Sequence, residues 1–168
     1  MVTPTTRAHA ILRGLGVPAP YPAASARILV AWQACEGGVA AQQGHNPMNT
    51  TLVVPHSTPL PGNTSGVQLY PTEAVGIAAT VHVLLTAGYY GGLVAALRTG
   101  NIHAFLAHAG EIRTWGTDPT CIASRLGRTL PASTPAHSGT VTLGGVTLPL
   151  WVVGAAVGVP FVLALLRD

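Results

Sequence analysis

Apolar residues recur at helical spacing through most of the first 129 positions, and glycine or proline closes each run. Residues 7–15 form the first such run, stopped by Gly16 with Pro18 beyond it. A second helix is expected over residues 23–36, ending at Gly37 and Gly38. Thr72 caps a third, whose apolar face reads Ile77, Val81, Leu84 and Leu85, with Gly88 at its end. Two shorter helices follow, residues 91–99 closed by Gly100 and residues 101–109 closed by Gly110. Asp118 and Pro119 make an N-cap and first-turn pair for a last helix carrying Cys121, Ile122 and Leu126.

Residues 38–71 break this pattern. Pro47, Pro55, Pro59, Pro61 and Gly62 exclude a long helix, so the segment reads as a long loop holding a small hairpin around residues 52–54. A loop of that length in a compact domain is usually functional. Residues 130–145, rich in Pro, Ser, Thr and Gly, read as a flexible tether. Residues 146–168 read as a hydrophobic helix, because 148–166 carry no charge and would span roughly 30 Å of hydrocarbon as a helix. Trp151 and Arg167 sit where interface anchors belong, and Gly154 and Gly158 offer a face for self-association. The competing reading of this segment is a helix buried in a larger assembly. The first apolar stretch is interrupted by Arg7, His9 and Arg13, which reads as a short amphipathic helix and not a secretory leader. The expected organisation is therefore a mainly α domain over residues 1–129, a linker over 130–145 and a transmembrane helix over 146–168.

Composition narrows the chemistry. Charged residues are 8% of the chain, against roughly a quarter in a soluble domain, so part of the chain is expected to face something other than water. All eight basic residues are arginine, but no run of them marks a nucleic-acid stripe. The net charge of +3 favours an anionic partner such as cell-wall polymer or an acidic neighbour. Cys35 and Cys121 form no CxxC pair, and with seven scattered histidines they give no metal-ligand spacing and no cofactor motif. They fit either one disulfide outside the cytosol or two buried thiols. Acid/base chemistry must come from Glu36, Glu73, Glu111, Asp118 or Asp168.

Glu36 stands out among these. It falls on the same helical stripe as Leu29 and Trp32, the stripe that faces the core, and it ends its helix beside a glycine pair. Desolvation against an indole raises a carboxyl pKa toward the range of a general acid, and the glycines leave room for a bulky polymer. Cleavage of a glycosidic bond needs such an acid to protonate the leaving oxygen. Glu73, in the first turn of the third helix, reads as a partner of the helix dipole instead. His45 and His56, in the long loop, read as incidental.

The ordered blocks ILVAWQACEGG, NPMNTT, GVQLYPTEAVGIAAT, GYYGGLVAALRTGN and TWGT resemble the lysozyme-like peptidoglycan-cleaving domains of actinobacterial phages, relatives of lytic transglycosylases and glucosaminidases. The resemblance covers roughly residues 7–118. It implies an α-rich lysozyme-like fold with Glu36 as the catalytic acid. It further implies a glycan cleft lined by Asn46, Met48, Asn49 and Thr50, with Tyr90, ahead of Tyr89, orienting substrate or water. Tyr70 matches a tyrosine supporting the cleft wall, and Trp115 an aromatic near the domain's end. Asn46 also suits the extended turn before Pro47, and Tyr70 and Trp115 also suit core positions. A thiol directly before the acid departs from the family pattern, which keeps open a degenerate domain that binds peptidoglycan or a tail subunit without cutting it.

With no partner carboxylate evident for Glu36, a single-acid mechanism is expected, either transglycosylation to a 1,6-anhydro sugar or substrate-assisted hydrolysis. The expected setting is a phage virion tail protein acting at the host wall, its C-terminal helix in or near the inner membrane. A tail-anchored wall-remodelling enzyme is the rival. No cofactor and no nucleic acid are expected.

Overall fold

The computed structural model describes residues 2–38, 40, 44–131, 140–143 and 146–149. The chain divides into two units, residues 1–131 and 132–168. Among the described residues it is mainly helical, with seven helices and two short hairpins.

Helix α1 spans Pro4–Gly14. It starts three residues before the apolar periodicity does, because the Thr3 hydroxyl accepts from the Thr6 amide and Pro4 occupies the first turn. Helix α2, Ala23–Cys35, is the centre of the first unit. Ile28, Leu29 and Trp32 are fully buried on it, and it packs against α1 and three later helices. Glu36 is its C-cap residue. The helices that follow are α3 (Glu73–Thr86), α4 (Gly91–Thr99), α5 (Ile102–Ala107), α6 (Ala109–Trp115) and α7 (Pro119–Arg125). Thr72 and Asp118 cap α3 and α7 through their side chains, as their positions in the sequence suggest. Within the core, Trp32 meets Phe105 and Trp115 edge-on, with ring centroids 5.5 and 5.4 Å apart.

Three local expectations are corrected. The hairpin lies later in the long loop than residues 52–54: β1, Thr58–Pro59, pairs antiparallel with β2, Gln68–Leu69. Asn63 fixes its turn by accepting from the amides of Ser65 (2.9 Å) and Val67 (3.2 Å), while Leu60 N–H reaches Val67 O at 2.8 Å. Pro59, with no N–H to give, limits the ladder to two residues.

The expected helix over residues 101–109 is two helices meeting at His108, and Gly110 lies inside α6. Glu111 holds that junction: its carboxylate meets His108 Nδ1 at 2.9 Å and accepts the Leu93 amide at 3.0 Å, capping α4 from a distance.

Of the expected apolar face of α3, Leu84 is buried and Ile77 and Val81 pack half-buried against the core, whereas Leu85 is 47% exposed and Gly76, Ala79 and Thr80 are buried in addition. Small residues face inward because the loop backbone runs against the helix. A Cβ on Gly76 would stand 1.8 Å from the carbonyl oxygen of His45, which no side chain tolerates.

In the second unit, Thr140–Leu143 (β3) and Val146–Pro149 (β4) form an antiparallel pair. Part of the expected tether is therefore a strand, and residues 146–149, expected to open the hydrophobic helix, are extended. The alternating TVTL and VTLP around Gly-Gly is a hairpin pattern. The remainder of the expected membrane helix, with Trp151, Gly154, Gly158 and Arg167, lies outside the described residues. Among the described residues no single helix is long and apolar enough to cross a membrane.

Candidate active site

Helix α2 delivers Glu36 to the floor of a cleft of about 420 Å³, whose walls come from the long loop, the α3–α4 turn and the C-terminal end of α6. The cleft is lined by Glu36, Asn49, Thr50, Asn63, Ser65, Tyr89, Tyr90, Thr114 and Trp115, among others. It is a predominantly polar site with an aromatic wall. Tyr90 and Trp115 lie edge-on at 5.2 Å and Tyr89 and Tyr90 at 4.6 Å, with Tyr89 the exposed member.

The Glu36 carboxylate is held from two sides. Trp32, one turn back on α2, donates Nε1–H to Oε1 at 3.0 Å. The same indole N–H lies 2.9 Å from Thr117 Oγ1, and the Thr117 hydroxyl in turn bonds Oε1. Asn49 Nδ2 donates to the Glu36 backbone oxygen at 2.7 Å. Asn49 makes that bond from a left-handed conformation, φ 52°, which asparagine adopts more readily than most side chains. Burial raises the Glu36 pKa above the ordinary glutamate range, opposed by the hydrogen bonds of Thr117, Trp32 and Asn49. Tyr90 is pushed up to about 12, first by burial and then by Tyr89 and Glu111. It is therefore a neutral phenol at any working pH.

The structure brings five of the eight residues expected at the site to one cleft: Glu36, Asn49, Thr50, Tyr90 and Trp115. Asn46 and Met48 do not line it, which corrects their expected place in the cleft lining; Tyr70, expected to support the cleft wall, does not line it either. Asn46 is fully buried and clamps two loop strands together. Its Nδ2 donates to the carbonyls of Thr50 (2.8 Å) and Gln68 (2.7 Å), and its Oδ1 accepts from the Thr50 amide (2.9 Å) and hydroxyl (3.1 Å). Met48 is a core side chain whose carbonyl accepts Trp115 Nε1–H at 2.8 Å, so it sets the cleft's aromatic wall through its backbone. Tyr70, also pushed up to about 12 by burial, hydrogen-bonds Leu52 O at 2.9 Å from within the loop.

Replacing Asn46 with alanine is accordingly expected to act on folding. It leaves the Thr50 amide and the Gln68 carbonyl without their partner, at a cost of about 2–4 kcal/mol. Urea unfolding of Asn46→Ala measures this, whereas a substrate role would show as weakened binding at unchanged stability.

The other described carboxylates are occupied elsewhere. Glu73 pairs with Arg7, whose Nη2 reaches Oε2 at 3.2 Å, and with His45 Nδ1 at 3.3 Å. Glu111 caps α4, and Asp118 accepts the Thr120 amide at 2.9 Å. Glu36 is thus the one carboxylate lining the cleft among the described residues. None of them form a group of three metal-ligating side chains.

Cys35 and Cys121 form a disulfide, with Cα atoms 6.1 Å apart, joining the end of α2 to α7. The residue before the acid is therefore a structural tie.

Sequence reading missed Thr117, Asn63, Ser65 and Thr114. For Thr117 there was a signal: it follows Trp115-Gly116, and Gly116, at φ 100°, ends α6 and turns the next residue inward. Asn63 and Ser65 reach the cleft through the hairpin turn, whose position depends on pairings many residues apart.

No protein-family model, curated protein or solved structure matches the chain.

Proposed function

We propose that residues 1–131 are a lysozyme-like domain that cleaves the β-1,4 glycan strand of bacterial peptidoglycan with one carboxylate, Glu36, as general acid and then base. The observation that carries this reading is a buried carboxyl, its pKa raised by desolvation, that is the one acid among the described residues lining a cleft of hydroxyls, amides and aromatic faces. A protonated carboxyl can deliver its proton to a leaving glycosidic oxygen. The resulting carboxylate can then take a proton from the attacking hydroxyl. A second carboxylate about 5–10 Å away, as a two-acid hydrolase uses, has no counterpart among the described residues lining the cleft. The attacking group is then the sugar's own 6-hydroxyl, giving a 1,6-anhydro end, or water assisted by the N-acetyl group. Apolar sugar faces stack on aromatic rings, which Tyr89, Tyr90 and Trp115 supply. Sugar hydroxyls and acetamides need neutral polar partners, which Asn63, Ser65 and Thr114 supply.

The disulfide supports a site of action outside the reducing cytosol. We place the activity in a phage virion protein that works at the host wall, with the hydrophobic C-terminal segment toward the inner membrane or other tail subunits. This setting rests on the sequence blocks and on the uncharged C-terminal run.

Incubating the full-length protein with purified cell-wall sacculi tests the activity: turbidity falls if the glycan is cut. Protein that sediments with the sacculi and releases nothing soluble identifies a binding module instead.

A further inference from the structure

The hydrogen bonds around Glu36 distinguish its two carboxyl oxygens. The indole Nε1–H of Trp32 is a donor with no acceptor capacity, so Thr117 Oγ1, 2.9 Å away, is its acceptor. A threonine hydroxyl has one hydrogen. Thr117 accepts the indole hydrogen through one lone pair and donates its own hydrogen to Glu36 Oε1. The one indole hydrogen is shared between Thr117 Oγ1 and Glu36 Oε1, 3.0 Å from Nε1, so Oε1 faces both donors while Oε2 faces neither. Among the described residues none hydrogen-bonds Oε2.

We propose that Thr117 is a positioning residue that holds Glu36 with Oε1 toward both donors, so that the transferable proton resides on Oε2. The inference rests on Glu36 being the acid of the proposed reaction. Thr117 is itself 95% shielded from solvent, at 5% exposure, and is fixed through its backbone, its amide donating to Ile112 O at 3.2 Å after the turn at Gly116. It hydrogen-bonds the acid but does not itself line the cleft, so its influence runs through Glu36. Without it the carboxyl keeps the indole alone, and rotation about its last torsion exchanges the two oxygens. The other titratable side chains lining the cleft are Tyr89 and Tyr90. On the segment that carries Thr117, Arg113 is exposed and Asp118 is committed to the Thr120 amide.

Thr117→Val keeps the shape and removes the donor, and Thr117→Ser keeps the donor. Turnover in Thr117→Val is expected to fall roughly 10–100-fold, the scale of losing one well-placed donor or of slight misplacement, with KM nearly unchanged. The alkaline limb of its pH profile is expected to move to higher pH, because a hydrogen bond to the ionised form has been lost. Thr117→Ser is expected to restore both.

A second readout does not need activity. The full-length protein, labelled with ¹³C at the carboxyls of Glu36, Glu73 and Glu111, is titrated by NMR, the Glu36 signal being the one lost in Glu36→Gln. A higher midpoint in Thr117→Val with a wild-type midpoint in Thr117→Ser supports the proposal. An unmoved midpoint in Thr117→Val, or a serine variant that behaves like valine, overturns it. If the midpoint moves but the wild type releases no glycan fragments, Thr117 positions Glu36 and the peptidoglycan reading fails. If fragments appear and the midpoint stays, the positioning role fails alone.

Discussion

Glu36→Gln is expected to lose glycan cleavage by about 10³–10⁴-fold, the upper range for a group that serves as both acid and base, while becoming more stable than the wild type at neutral pH. The two effects share one cause. The Glu36 carboxyl is buried, and burial raises its pKa more than Thr117, Trp32 and Asn49 lower it. Between the ordinary glutamate pKa and that raised value, the folded protein binds more protons than the unfolded chain. Stability therefore falls as pH rises through this window, and it stays lowered above it. Glutamine carries no charge to desolvate, and its amide oxygen can still accept from Trp32 and Thr117. Its advantage should be absent below the ordinary glutamate range and complete above the raised pKa of Glu36. Thermal unfolding of both proteins across that pH range measures it. Equal stabilities at neutral pH would mean the carboxyl is well solvated, which removes the basis for its acting as an acid.

Breaking the disulfide is expected to produce a large loss of stability. Cys35 and Cys121 are 86 residues apart in sequence, so the bond removes much of the unfolded chain's freedom. Removing a bond that closes a loop of this size typically costs about 2–4 kcal/mol. In a domain of this length the midpoint of thermal unfolding should drop by roughly 10 °C in the Cys35→Ser, Cys121→Ser double variant. Activity should follow the fold closely, because the bond ties the residue before Glu36 to α7, just after Thr117. Thermal unfolding with and without dithiothreitol, alongside the double variant, checks this. A midpoint insensitive to both would show that packing between α2 and α7 suffices.

How far this could be read from the chain depends on whether local chemistry or distant pairing sets each feature. The ends of α2 and α4 and the caps at Thr72 and Asp118 are local, and the sequence places them within a residue. The position of Glu36 against Trp32 follows from a one-turn offset on a buried stripe, and the structure adds the hydrogen bond. Asn46 reads equally as a cleft residue or a clamp, because its four partners lie in a loop whose path the sequence does not specify. On α3 the spacing is right for Ile77, Val81 and Leu84, which lie against the core, but not for Leu85, and the close backbone approach at Gly76 depends on the path of the loop. The break at His108 depends on Glu111 reaching Leu93, a tertiary contact that overrides Gly110 as a stop. The disulfide was left open because two cysteines this far apart carry no local sign of being neighbours.

If Glu36 is the acid that cuts glycan, its replacement abolishes product release. The direct test is to incubate the full-length protein and its Glu36→Gln variant with purified peptidoglycan and to identify soluble products by mass spectrometry. Muropeptides carrying 1,6-anhydro or reducing ends are expected from the wild type, and none from the variant. A folded wild type that releases none, or a variant that releases as many, would contradict that role for Glu36.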